Sequence, residues 1–242
     1  MTSKKTKKPS RKLRILKKEK TRQAILAAAE EFFSKKPMNE VSLEDIAEAA
    51  FVSRTTLYNY FINKDAIFFG LGTQRIFEAT NRYEALYPND LPGIEQFLEL
   101  YETAHAIGRD RPLIRGIIRE FYKRVNDNNI PFKTPSAKFL KNIETGKFDK
   151  LIKGFEEPYL SEFYVQLMRY YKVWMNLIQK GKADGSITND LDNAQIAQFI
   201  FMLDCGIQDE MDIRKSALEN IGFDESKISR IILNLITSFL KG

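Results

Sequence analysis

Apolar residues recur at i, i+3, i+4 and i+7 along nearly the whole chain, and the alternating runs that a half-buried strand needs are scarce. A stripe of that period is stable only when it is buried against another helix, so the chain is confined to an almost all-α architecture. Eight prolines and twelve glycines interrupt 242 residues only rarely, and 43% hydrophobic residues are enough to build a core. The length allows one large or two small domains.

Several functions are disfavoured at once. Cys205 and His105 stand alone as cysteine and histidine, which leaves no intrachain disulfide and no Cys- or His-rich metal site. No Asp/Glu spacing suggests a carboxylate metal site. A Ser-His-Asp triad would have to use His105, and no nucleophile motif accompanies it. The expectation is no catalytic residue, no metal, no cofactor and no enzymatic activity. Apolar runs fall short of the ~18 residues of a membrane span. Leu13, Ile15 and Leu16 are broken up by Arg14 and Lys17, unlike the core of a signal peptide. A cytoplasmic protein with no membrane partner is expected.

The net charge of +6 conceals an asymmetry: residues 1–22 hold eleven Lys/Arg against Glu19, which makes that segment +10 and leaves −4 for the rest. Residues 1–18 read as a basic flexible arm. Lys12, Arg14, Lys17 and Lys18, continued by Lys20 and Arg22, belong to a cationic run that reads as polyanion-binding. The plainer alternative is a solubilising tail.

From Glu19 to Lys35 the spacing is helical, with Ile25, Ala28, Ala29, Phe32 and Phe33 on one face and Pro37 beyond the end. Ser42 with Asp45 forms a capping pattern, and Val41 is spaced to staple onto Ile46. Ser53 opens another short helix, with Val52 and Leu57 at staple spacing. Leu57, Tyr60 and Phe61 anchor it, which leaves Arg54, Thr55, Tyr58 and Asn59 outward and Thr56 on the flank. Asn63 caps a fourth helix, with Asp65 in its first turn. Two short helices joined by a tight turn are either ordinary core-packing elements or a helix-turn-helix, whose second helix enters the major groove of DNA. Arg and Thr on the outward face beside a basic arm favour the second reading. Arg54 then suits guanine O6 and N7, Thr55 and Thr56 suit base edges and the thymine methyl, Tyr58 and Tyr60 reach phosphate, and Lys64 sits at a helix N-terminus that attracts phosphate.

The segments TRQAILAAAEEFF, VSLEDIAEAA, VSRTTLYNYF and NKDAIF, between about Lys20 and Leu71, resemble the DNA-binding domain of the TetR (tetracycline-repressor-like) family of transcriptional regulators. The resemblance covers roughly the first third of the chain. It implies base contacts at Arg54, Thr55, Thr56 and Tyr58, and phosphate contacts from Ser42, Ser53, Tyr58, Asn59, Tyr60 and Lys64. It implies a three-helix helix-turn-helix domain, here 19–83 with its linking helix, followed by a larger helical effector-binding and dimerisation domain, 84–242. One residue departs from the pattern. Phe51 stands where the family usually has Gly, so either the turn has another geometry, or a side chain is strained at positive φ, or its ring packs usefully.

Beyond Pro88 and Pro92, helical stretches fit 93–107, 111–126 and 159–183, with a looser region at 127–158 and a turn at Asp184-Gly185. The last two amphipathic stretches pack within one subunit or pair with a second copy. The resemblance favours a homodimer through Phe199, Ile200, Leu203, Ile207, Ile228, Ile232, Leu235 and Phe239. The aromatics of the middle region, Phe121, Tyr122, Phe163, Tyr164, Tyr170, Tyr171 and Trp174, exceed what one helical face needs. They fit an apolar pocket in which Tyr122, Tyr170 and Trp174 form walls and His105, Arg119 or Arg169 meets an anionic or polar end. Cys205, in an apolar run, reads as packing.

The expected function is a homodimeric, sequence-specific regulator, a repressor released from a near-palindromic DNA operator by a small, largely apolar effector such as an acyl thioester or another lipid-like compound. The alternatives are a nonspecific architectural DNA-binding protein and a family member without a small-molecule ligand. Ligand identity, operator and regulated genes are not encoded in any motif.

Overall fold

A computed structural model describes residues 10–86, 90–110, 112–127, 141–142, 145–147, 152 and 155–242. Among them there are nine α-helices and no strand: α1 (Arg11–Lys35), α2 (Leu43–Ala49), α3 (Arg54–Tyr60), α4 (Lys64–Leu86), α5 (Gly93–Asp110), α6 (Pro112–Asp127), α7 (Pro158–Asp184), α8 (Asn193–Asn220) and α9 (Glu225–Lys241). Most of the looser 127–158 stretch lies outside the described residues. The chain divides into two compact units, Met1–Leu71 and Gly72–Gly242, so the division falls inside α4.

In the first unit the caps stand where the sequence places them. Ser42 accepts from Asp45 N at 3.0 Å, Ser53 from Thr56 N at 3.1 Å and Asn63 Oδ1 from Ala66 N at 2.7 Å. Ile25, Leu26, Ala29, Ile46, Leu57 and Phe61 make the core, with Phe33 edge-on to Phe68 at 5.5 Å. One expectation is corrected. Ser10 caps α1 and accepts from Leu13 N, so residues 11–18 of the basic arm continue the first helix rather than precede it. Straight-chain Lys, Arg and Leu lose little rotamer freedom in a helix, and α1 extends through them with every side chain from Arg11 to Lys20 exposed. Residues 1–9 of the arm lie outside the described residues.

Phe51 keeps the turn geometry that glycine normally serves. Phe51 N donates to Glu48 O and Val52 N to Ala47 O, the paired bonds of a Schellman motif, with Phe51 at the left-handed position, φ 54°. Its ring is 97% exposed and gains no packing in return. Phe51→Gly is therefore expected to stabilise the protein by about 1 kcal/mol, the cost of a side chain in the left-handed region less the extra chain entropy of glycine. Urea denaturation checks this, and an unchanged or lowered midpoint would show that the strain is illusory.

In the second unit, α5 packs along α7, α7 against α8, and α9 against α5 and α8. Phe97, Phe121 and Phe163 are fully buried, with Phe121 5.1 Å from Phe163 and Phe97 5.3 Å from Trp174. The start of α5 is satisfied from the end of α7: Gly93 N donates to Asp184 Oδ2 at 2.7 Å, Ile94 N to Ser186 Oγ at 3.0 Å, and Lys180 Nζ to Leu91 O at 2.9 Å. The two backbones touch there, since a β-carbon on Gly93 would stand 2.1 Å from Gly181 N. Gly185, at φ 77°, ends α7 as the Asp184-Gly185 signal predicts.

Candidate functional site

The outward face of α3 carries Arg54, Thr55, Tyr58 and Asn59, all exposed, while Leu57 is fully buried beneath it. Arg54 does not extend freely. Its Nη1 pairs with Glu44 Oε1 of α2 at 2.6 Å, and its guanidinium lies 5.8 Å from the Tyr58 ring centre. Tyr58 first and then Glu44 raise the guanidinium's pKa, so the residue stays charged. Glu44 carried no signal as a partner because nothing in the spacing shows that α2 and α3 bring the two together.

The other expected contact residues differ in availability. Thr56 is half-buried, and its Oγ1 lies 2.8 Å from Ser53 Oγ, so both hydroxyls are engaged in the cap of α3. Ser42 is half-buried as the cap of α2, and Tyr60 is half-buried as an anchor of α3. Lys64 turns its ammonium onto backbone carbonyls, with Nζ 2.7 Å from Val41 O and 3.5 Å from Asn39 O. Among the basic-arm residues, Lys12, Arg14, Lys17, Lys18 and Lys20 are exposed on α1. Arg22 instead lies over Phe61, 5.6 Å from the ring centre.

In the second unit an apolar cavity of about 100 Å³ is walled by α4, α5, α6, α7 and α8, among them Ile76, Ile118, Leu167, Tyr170, Trp174 and Asp204. A narrow slot beside it shares Leu167, Tyr170 and Trp174 and adds Tyr122 and Tyr171. Tyr122, Tyr170 and Trp174 are thus brought together as the sequence leads one to expect. Burial lifts the Tyr122 phenol to about 12.

The expected polar end is different. Arg119 pairs with Asp209 at 2.5 Å, Arg169 is half-buried, and neither lines the cavity. His105 is buried in a network, with Nδ1 2.7 Å from Asp204 Oδ1 and Nε2 3.2 Å from Ser229 Oγ. Asp204 also accepts from Tyr101 Oη at 2.8 Å and from Gln208 Nε2 at 2.9 and 3.0 Å. Burial, and then the Asp204 charge, raise the Tyr101 pKa. A single acidic residue inside the apolar run FIFMLDCGI was the signal that would have found Asp204. His105 instead faces a larger cavity of about 800 Å³, lined by Arg115, Gln208 and Lys215 as well as by Met211, Leu218 and Phe223. There Arg115 is already committed to Gln208 and Asp212. Burial raises the Cys205 thiol to about 12, consistent with a packing role.

The stripe expected to face a second copy is displaced. Ile200, Ile228 and Ile232 are buried within the protomer. Leu203, Ile207 and Phe239 are half-buried, while Phe199 and Leu235 are exposed together with Met202 and Ile231. Helices α8 and α9 are apolar on more than one face, and the most continuous stripe packs inward. Among the described residues no helix is long and apolar enough to cross a membrane, and no cluster of His, Cys, Asp and Glu could hold a metal ion.

The likeness to known proteins lies first in the N-terminal unit. Residues 25–71 match the family model of bacterial regulatory proteins, tetR family. The HTH-type transcriptional regulator EthR of Mycobacterium tuberculosis is 30% identical over 95 residues, which cover 36% of this chain and 44% of that protein. The chain thus matches less than half the length of this curated relative. In three dimensions the chain is similar to FadR from Bacillus subtilis, solved in complex with stearoyl-CoA, with a TM-score of 0.60 and 16% identity, covering 90% of this chain and 98% of that one. It is likewise similar to Salmonella enterica GusR, with a TM-score of 0.57 and 18% identity, covering 92% and 96%. At these identities the structural likeness carries the fold, and the motifs of the first three helices carry the family. Residues 25–71 thus carry the helix-turn-helix domain characteristic of the tetR family of bacterial regulatory proteins.

Proposed function

We propose that this protein is a homodimeric, sequence-specific DNA-binding transcriptional repressor, released from a near-palindromic operator by a small, largely apolar effector. One observation carries the reading: α3 presents Arg54, Thr55, Tyr58 and Asn59 on one face while Leu57 fastens the other into the core. Arg54 and Thr55 read bases. The engaged hydroxyls of Ser53 and Thr56 hold the start of α3 in place, and the cationic first turns of α1 supply phosphate attraction that carries no sequence information. Lys64 fastens the start of α4 to the segment before α2 and contributes charge from there.

The exposed residues Phe199, Met202, Ile231 and Leu235 support a face for a second copy. Two reading helices then address half-sites about 34–36 Å apart on the same side of the duplex. The effector occupies the cavity walled by Trp174 and Tyr170. Ile76 of α4 is also part of that wall, and the first turns of α4 belong to the DNA-binding unit. A ligand that prefers one position of α4 shifts operator affinity, and operator binding must weaken ligand binding by the same factor. The relative solved with stearoyl-CoA supports an apolar ligand class.

Selection of bound fragments from randomised DNA at near-physiological salt is the decisive experiment. The expected product is an enriched near-palindrome with half-sites one helical turn, or a multiple of it, apart. Tight binding without enrichment would instead identify an architectural DNA-binding protein that acts through the exposed cations of α1.

A further inference from the structure

The regulator reading, on which this inference rests, leaves the chemistry of the effector open. Among the described residues that line the small cavity, all are apolar except Tyr170, Trp174 and Asp204. Trp174 is 5% exposed, its ring set edge-on to Phe97, and its Nε1 is buried with no hydrogen-bond acceptor among the described residues. Burial raises the pKa of the neighbouring Tyr170 phenol and the indole N–H lowers it, yet the geometry between the two is not that of a hydrogen bond. A buried N–H without an acceptor is a standing cost that an incoming oxygen removes. Asp204 stands on the α8 wall. Its carboxylate is held by Tyr101, His105 and Gln208, and no Lys or Arg among the described residues joins it in lining the cavity.

We propose that the effector is an uncharged molecule whose carbonyl, or an equivalent acceptor, meets the Trp174 N–H, and that Asp204 excludes carboxylates. This departs from the expectation from sequence, where Arg119, Arg169 or His105 was to meet an anionic or polar end. A ligand carboxylate entering this apolar space would meet a fixed negative charge in surroundings that screen it poorly. An ammonium would be tolerated by Asp204 but has no lone pair for the indole. A neutral amide, ester, thioester or ketone satisfies the donor and brings no charge. An engineered apolar cavity of about 150 Å³ holds benzene, so a space of about 100 Å³ takes a compact ligand or the end of a longer one.

The chain contains one tryptophan, so its fluorescence reports on this cavity. The probes are hexanamide and hexanoate, matched in size and shape, titrated into the full chain at pH 7.5. Hexanamide is expected to change the emission saturably and to bind at least about tenfold more tightly than hexanoate, a like-charge penalty of modest size. Asp204→Asn, nearly the same shape without the charge, is expected to close the gap to within about threefold by tightening hexanoate. Trp174→Phe, followed by calorimetry, is expected to weaken hexanamide about fivefold by removing its donor. The inference is overturned if hexanoate binds the native chain as tightly as hexanamide, if neither binds, or if the gap persists in folded Asp204→Asn. If Asp204→Asn does not fold, the native comparison and Trp174→Phe decide. Operator selection on the same preparation separates the two readings. A reversed ligand preference beside an enriched operator sinks only the effector chemistry. The expected preference without any operator sinks only the regulator.

Discussion

Gly93→Ala is expected to destabilise the second unit by roughly 3 kcal/mol or more, the upper range for forcing atoms into a packed site. The added β-carbon would lie 2.1 Å from Gly181 N and 2.4 Å from Gly181 Cα. Both are backbone atoms and cannot turn aside as a side-chain tip would. Separating the helices to make room would strain the bonds that join them, from Gly93 N to Asp184, from Ile94 N to Ser186 and from Lys180 to Leu91. Asp184 adds a pH signature. The Ser186 hydroxyl, and then the Gly93 N–H, hold its carboxyl below the ordinary range. Its contribution is therefore present above the unfolded pKa and is lost as pH falls through the folded one. Urea midpoints for the native chain and Gly93→Ala test the packing claim, and equal midpoints would refute the close approach of α5 and α7.

Arg54→Ala is expected to cost about 1–3 kcal/mol of discrimination at one base step, the worth of a bidentate contact to guanine. Arg54 rests in an ion pair with Glu44, both partners more than half exposed at 63% and 53%. Such a pair is weak in water and yields readily to a guanine edge. Meanwhile Tyr58 keeps the guanidinium near one direction, which lowers the cost of ordering it. The measurement is binding to a set of operators with single base-pair changes. Loss of preference at one symmetric pair of positions supports the assignment. Uniform weakening of every sequence would demote Arg54 to a phosphate contact.

The first unit was largely legible because its information is local. Ser42, Ser53 and Asn63 cap the helices they precede, and a cap is decided within three residues of chain. Phe51 was legible as a position that prefers glycine, though only the structure shows that the turn keeps its left-handed geometry and leaves the ring in water. The hold of Lys64 on the carbonyls of Asn39 and Val41 was not legible, because those partners are reached only through the fold. The same applies to the second unit. Tyr122, Tyr170 and Trp174 could be grouped by chemistry, but which charge stands beside them depends on the rotation of α8. Asp204 faces inward and Arg119 pairs with Asp209 instead. On α8 and α9 apolar residues occupy more than one face, so periodicity alone does not decide which becomes core. Ile200 and Ile232 went inside, and Phe199 and Leu235 remained exposed.

The bonds between the start of α5 and the end of α7 span 91 and 92 residues of chain. Contacts of that separation form only after a long loop has closed, whereas α1, α2 and α3 complete one another within the first quarter of the polypeptide. Synthesis runs from the N-terminus, and domains generally fold as units as they emerge. The helix-turn-helix unit can therefore be folded on the ribosome while α5 still waits for the residues that satisfy its first turn. Helices α8 and α9, which carry the exposed residues Phe199, Met202, Ile231 and Leu235, are made well after that unit. Those apolar residues therefore emerge only after the first unit has had the chance to fold.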